Sequence, residues 1–250
     1  MINIKSASEI VKMQKAGEIV ALAFRAIDEA ISDGITTEEL DKIASEVIKS
    51  KGAVPSFLNY NGFPKSICSS VNDVVIHGIP SKDVVLKNGD IVGIDIGAYF
   101  DGYHGDRAVT YGVGKISEEA QRLISAAENA FYQGISFARE GQRISDVSSA
   151  IEKHVQSCGF SVVKDFVGHG LGSSLHEPPE VPNYGQAGRG TRLYAGMTIA
   201  VEPMINAGGT EVRIAKDGWT VRTVDGSLSA HFEHSIAVTK NEPLLLTVVG

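Results

Sequence analysis

The chain is written twice, and this repetition limits its possible folds more than any other feature. Two glycines placed to stop helices, Gly34 and Gly52, recur as Gly141 and Gly159, 107 positions further on in both cases. Ser6-Ala-Ser-Glu9 has the pattern of a capping box, and Ile10, Met13, Ile19, Val20, Ala23, Ile27 and Ile31 recur at helical spacing up to Asp33-Gly34. Thr36-Thr-Glu-Glu39 opens a second helix, with Leu40, Ile43, Ala44, Val47 and Ile48 on one face and Gly52 at its end. The second copy predicts a helix from about Ser117 to Arg139, a break at Gly141, and a shorter helix carrying Val147, Ala150, Ile151 and Val155 up to Gly159. The same offset lays Leu86–Asp95 onto Leu193–Glu202, matching a leucine, a glycine, an apolar run and a final carboxylate. This ordered match predicts two pseudo-equivalent halves, about 1–112 and 113–250. Neither half can bury both faces of its own sheet. The expectation is a single α/β (α+β) domain over 1–250, with a shared central sheet, helices outside and a site between the halves.

Composition narrows the function classes. With 43% hydrophobic and 21% charged residues in 250, the chain can build a substantial core. A formal charge of −7 and a pI near 5.5 leave no basic footprint for nucleic acid. The two cysteines, Cys68 and Cys158, fit neither a disulfide framework nor a CxxC metal module, which points to a reducing, cytoplasmic compartment. The N-terminus has no unbroken apolar stretch, so neither a signal peptide nor a membrane span is expected.

The chemistry lies in acids placed where strands should be. Two strand-like runs flank Asp101-Gly102, a strong hairpin signal. With Asp101-Gly102 as the two-residue loop, Asp95 faces Ala108 and Asp106 is its diagonal neighbour; with the centre at Phe100-Asp101, Asp95 and Asp106 face each other. Both registers put the two acids on one face, within about 5–8 Å, and Val92, Ile94 and Ile96 on the other as core. Surface acids on a hairpin are common, but Asp95 sits in mid-strand, where Asp is disfavoured. Glu202, in Met-Thr-Ile-Ala-Val-Glu-Pro, repeats the anomaly. Glu233 does so again in the run Ser229–Val238, where His231, Glu233 and Ser235 alternate onto one face. Three strands, each with a misplaced acid, call for a cation. His169 lies in Val-Gly-His-Gly-Leu-Gly, whose glycines let the backbone approach closely. This segment lacks the last glycine in register and the following helix of a dinucleotide loop. HExxH, GxSxG and GxxxxGK[ST] are all missing, so any metal site is assembled from distant residues.

Six segments in order resemble the type I methionine aminopeptidases and cover nearly the whole chain. They are Tyr60–Cys68 with Asn72–Pro80, Asp-Gly-Tyr-His-Gly-Asp106, Gly-His169-Gly, Leu-His176-Glu, Val-Glu202-Pro-Met and Phe-Glu233-His. The resemblance implies the pita-bread fold, a pseudo-twofold repeat around a curved antiparallel sheet. It implies two divalent ions: Asp95 on one, His169 and Glu202 on the other, Asp106 and Glu233 bridging both. Four carboxylates neutralise two such ions, and one imidazole with no thiolate suits Mn²⁺, Fe²⁺ or Co²⁺ at least as well as Zn²⁺. A metal-activated hydroxide would then attack the scissile carbonyl. Glu202 becomes the proton shuttle, and His77 and His176 the non-ligand histidines that stabilise the tetrahedral intermediate and bond the scissile peptide. Tyr60, Phe63, Cys68, Leu175 and Trp219 would wall the methionine slot, with Leu175 departing from the aromatic residue common there. Asn72, Val74 and Ser229 match the family's monovalent-cation site. The substrates implied are N-termini of nascent polypeptides with a small second residue, met by a monomer without nucleic acid or membrane; ribosome contact is an implication of the family.

Two rival enzyme classes and one non-enzyme class differ from this chain in sequence. Prolidases and aminopeptidases P carry an additional N-terminal domain, for which there is no room. Type II methionine aminopeptidases need a helical insertion between the positions of Glu202 and Glu233. A metal-free binding protein of the same fold would have no need of five ligands and both histidines.

Overall fold

The computed structural model describes residues 2–249. Helix α1 (Ala7–Ala30) starts at Ser6, whose hydroxyl accepts the Glu9 N–H while the Glu9 carboxylate accepts the Ser6 N–H at 2.7 Å. Helix α2 (Thr37–Ser50) starts with the same reciprocal pair at Thr36 and Glu39. In the second half α3 spans Glu118–Ile135 and α4 spans Ile144–Ser157. The expected helix to Arg139 stops at Ile135. Phe137 and Ala138 donate instead to the carbonyls three residues back, and Arg139 bridges to Thr239.

The repeat is visible in individual hydrogen bonds. Gly34 N–H donates to Leu86 C=O at 2.8 Å and Gly141 N–H to Leu193 C=O at 3.0 Å, with φ of 93° and 92° at the two glycines. Both glycines thus hold the left-handed turn that their position requires. The isolated bridges Thr36–Val85 and Arg143–Arg192 are likewise counterparts.

A nine-stranded sheet runs through both halves, and all its pairings are antiparallel. Its centre is the hairpin Ile91–Phe100 with Tyr103–Gly112, turned at Asp101-Gly102 with φ of 47° and 87°. Both positive φ values fit the primed turn that matches strand twist. The register pairs Asp95 with Ala108 and Gly97 with Asp106, the first of the two expected registers. Tyr103–Gly112 then pairs with Glu233–Ala237, that strand with Thr198–Val201, and Thr198–Val201 with Gly168–Gly170. Glu233 is opposite Ala108, so Asp95, Ala108 and Glu233 form one row across three strands.

The other face of the sheet is core. Val92, Ile94 and Ile96 pack with Phe24, Ile27, Leu40 and Ile48 of α1 and α2, and Ile199, Val201 and Ile236 pack with the apolar faces of α3 and α4. Close approach of α1 to the hairpin depends on Gly105, where an added Cβ would stand 2.7 Å from the backbone nitrogen of Gly17.

The run Ser229–Val238 is two strands. Ser229–His231 joins a small sheet with Met204–Asn206 and Ser161–Val162, whereas Glu233–Ala237 belongs to the large one. Phe232 is the joint, and its N–H donates to Pro203 C=O. Among the described residues no helix is long and apolar enough to cross a membrane.

Candidate metal centre and substrate cleft

Sheet register alone brings the acids together. Asp95 and Asp106 project from the hairpin, Glu233 from the adjoining strand, and Glu202 directly follows Thr198–Val201. His169 enters from the next strand, opposite Ala200. Its flanking glycines let that strand lie close: a Cβ at Gly168 would collide with the carbonyl of Ala200, and one at Gly170 with that of Pro178. His169 Nε2 stands 3.6 Å from Glu202 Oε1 and 3.9 Å from Asp106 Oδ2. Its Nδ1 is 2.8 Å from the Gly170 carbonyl oxygen. A carbonyl can only accept, so Nδ1 carries the proton and the Nε2 lone pair faces the acids.

This cluster is short of positive charge. Asp106 and Glu233 are 4% and 2% exposed, and Asp95 Oδ1, Asp106 Oδ1 and Glu233 Oε1 are buried without a hydrogen-bond partner. Burial pushes the Asp106 carboxyl up to about 7, although a hydrogen bond with Asp95 opposes the rise. Burial, and then the neighbouring carboxylates, push Asp95, Glu202 and Glu233 well above the usual range. Burial lowers His169 to about 3, leaving a neutral imidazole. Acceptors without donors, next to an imidazole with a free lone pair, make a cation site. Ligand atoms of Asp106, His169 and Glu233 lie within 4.8 Å of one another, as do those of Glu202, His231 and Glu233. The residues present therefore fit divalent metal.

Sequence reasoning left His231 outside this set, although its alternation with Glu233 was legible. It is 3% exposed, and its unpartnered Nε2 is 3.6 Å from Glu202 Oε2 and 3.9 Å from Glu233 Oε2.

One cavity of about 360 Å³ is lined by Asp95, Asp106, Glu202, Glu233 and His169 together with His77, His176, Tyr60, Phe63, Cys68, Leu175 and Trp219. Beside the polar end, Phe57, Phe63, Cys68 and Leu175 form a buried apolar cluster against which Tyr60, Ile79 and Trp219 pack. Phe57 and Ile79 join this cluster from irregular stretches with no hydrophobic period to read, although Ile79 lies within the segment Asn72–Pro80. Trp219 meets Phe63 edge-on at 5.2 Å. His77 meets Phe166 and Trp219 edge-on at 6.0 and 6.4 Å, and burial lowers it to about 4. Asn72, Val74 and Ser229 do not line this cavity; Ser229 N–H donates to the Asn72 carbonyl at 2.9 Å.

Residues 11–240 match metallopeptidase family M24, and the chain belongs to that family. It is 51% identical to a methionine aminopeptidase of Clostridium perfringens and 50% identical to methionine aminopeptidase 1 of Bacillus subtilis, each over 100% of both chains. The crystal structure of methionine aminopeptidase from Thermotoga maritima superposes with a TM-score of 0.98 at 45% identity, covering 99% of this chain and 100% of that one. Within the family the chain groups with the bacterial type I methionine aminopeptidases. It is a metal-dependent aminopeptidase with the pita-bread fold.

Proposed function

We propose that this chain, a single catalytic unit, removes N-terminal methionine from newly made polypeptides in the cytoplasm, using two divalent ions held by Asp95, Asp106, His169, Glu202 and Glu233. The observation that carries the reading is the row of buried, unpartnered carboxylate oxygens that opens directly into an apolar cleft. Four carboxylates against two dications leave the site neutral, and one imidazole with no thiolate accepts Co²⁺, Mn²⁺, Fe²⁺ or Zn²⁺. When bound, such ions polarise a carbonyl and acidify water.

The chain's own groups do the rest. The cleft walled by Tyr60, Phe63, Cys68, Leu175 and Trp219 takes an unbranched thioether side chain and excludes water around it. Glu202, a buried carboxyl with a high proton affinity, is the group that takes a proton and passes it to the leaving amine. His77 and His176 donate hydrogen bonds to the scissile carbonyl and its oxyanion. Asn72, Val74 and Ser229 would hold the monovalent cation that the family resemblance implies.

Release of Met from Met-Ala-Ser and Met-Leu-Ser, with Mn²⁺ or Co²⁺ added to chelated protein, tests the reading. Metal-dependent cleavage of the first and sparing of the second is expected, because a bulky second residue crowds the site. Failure to release Met from either peptide with any of the four metals would refute it.

A further inference from the structure

Tyr60 does more than wall the cleft. Its ring sits on a tightly bonded turn: Asn59 and Asn61 adopt left-handed φ of 65° and 50°, Asn59 N–H donates to Phe63 C=O at 2.8 Å, and Phe63 N–H donates to Tyr60 C=O at 2.9 Å. From this support the Tyr60 hydroxyl reaches His176 Nδ1 at 2.7 Å, with the two ring centroids 5.1 Å apart. The His176 ring also lies against His169, centroid to centroid 4.2 Å.

We propose that the Tyr60 hydroxyl sets the tautomer of His176, so that His176 presents Nε2–H to the bound peptide. The inference rests on the reading of His176 given above. Among the described residues, His176 Nδ1 is the one hydrogen-bond partner of the Tyr60 hydroxyl. In this solvent-reached pair the phenol O–H is a stronger acid than a neutral imidazole N–H, and an imidazole nitrogen is a stronger base than a phenol oxygen. The phenol therefore donates, Nδ1 accepts, and a neutral ring must then carry its proton on Nε2. His169 is set the opposite way by the Gly170 carbonyl, which holds a proton on Nδ1 and frees Nε2. Two neighbouring imidazoles are thus assigned opposite tasks by what touches Nδ1. His169 can ligate, and His176 can only donate. Tyr60 is a positioning residue acting through His176.

Tyr60→Phe keeps the ring, and hence the cleft wall, and removes only the hydroxyl. For Met-Ala-Ser the expected result is a kcat about tenfold lower, the worth of one ordinary neutral hydrogen bond, with KM within about twofold. The second readout is long-range ¹H–¹⁵N correlation on histidine-labelled, Zn²⁺-loaded protein, with the His176 resonances assigned by their loss in His176→Ala. The unsubstituted protein should show His176 as the Nε2–H tautomer, and Tyr60→Phe should shift it toward Nδ1–H or a mixture. An Nδ1–H tautomer in the unsubstituted protein would overturn the proposal. So would a Tyr60→Phe protein with an unchanged tautomer, or one whose loss is confined to KM. Full turnover by His176→Ala would instead sink the underlying reading of His176.

Discussion

His77 is held in a left-handed backbone conformation, φ 57°, that a side chain with a Cβ resists, and this gives a sharp prediction. The cause is visible next door. Gly78 C=O accepts from Ser69 N–H at 2.8 Å, and a Cβ on Gly78 would collide with the Ser69 carbonyl, so the chain must fold back onto the Ile67–Val71 strand directly after His77. Replacing His77 by Ala or by Gly removes the imidazole in both cases and leaves nearly the same space, differing by one methyl, so backbone terms dominate the difference. A Cβ in the left-handed region costs about 1–2 kcal/mol. Glycine's extra freedom in the unfolded chain opposes that by about 0.4–1 kcal/mol. The steric term wins, so His77→Gly should be the more stable by about 0.5–1 kcal/mol, or roughly 1–4 °C in Tm for a domain of this size. Thermal unfolding of both variants at equal metal saturation measures the difference. Both should bind metal as the unsubstituted protein does and turn over Met-Ala-Ser far more slowly. If His77→Ala melts at or above His77→Gly, the left-handed strain assigned to His77 is wrong. Weak metal binding by either variant would refute its role as a non-ligand.

Two further predictions concern the metal centre. In metal-free protein, carboxyls raised by burial make the folded state hold protons that the unfolded chain has released, so stability falls as pH rises from the ordinary carboxylate range through the raised values, about 7 for Asp106. The buried histidines act with the opposite sign, being depressed to about 3 or 4 at His77, His104, His169, His231 and His234; their unfolded-state titration is half complete near 6.5, so between pH 6.5 and 8 their opposing slope is the smaller one and fades about a unit above 6.5. Urea unfolding with chelator should therefore show lower stability at pH 8 than at pH 6.5, and saturating Mn²⁺ or Co²⁺ should remove the difference; equal stability without metal would contradict the electrostatic account. His231→Leu, which deletes the unpartnered nitrogen facing Glu202 and Glu233, should weaken metal binding about tenfold by calorimetry while leaving the fold intact; unchanged affinity would make His231 a bystander.

Local chemistry made much of this molecule legible in its sequence. The capping pairs at Ser6 and Thr36 fix two helix starts from four residues each, and the left-handed glycines at 52 and 159 fix two stops. Asp101-Gly102 fixes the hairpin register, and with it the shared face of Asp95 and Asp106. What stayed hidden depends on partners far away in the chain. Side-chain alternation in Ser229–Val238 is the same whether the segment is one strand or two, and only the bond from Phe232 to Pro203 divides it. The closeness of His231 to Glu202 follows from the pairing of His231 with Met204, which no spacing announces. Phe57 enters the cleft wall, and Ile79 packs against the apolar cluster there, from irregular segments without a period to read.

The central claim is that five side chains from the two halves hold two ions. The most direct test is a crystal structure of Mn²⁺-loaded protein with anomalous difference maps. Two peaks are expected about 3.5–4 Å apart, both contacted by Asp106 and Glu233, one by Asp95 and the other by His169 and Glu202. A single peak, or peaks away from these residues, would contradict the account.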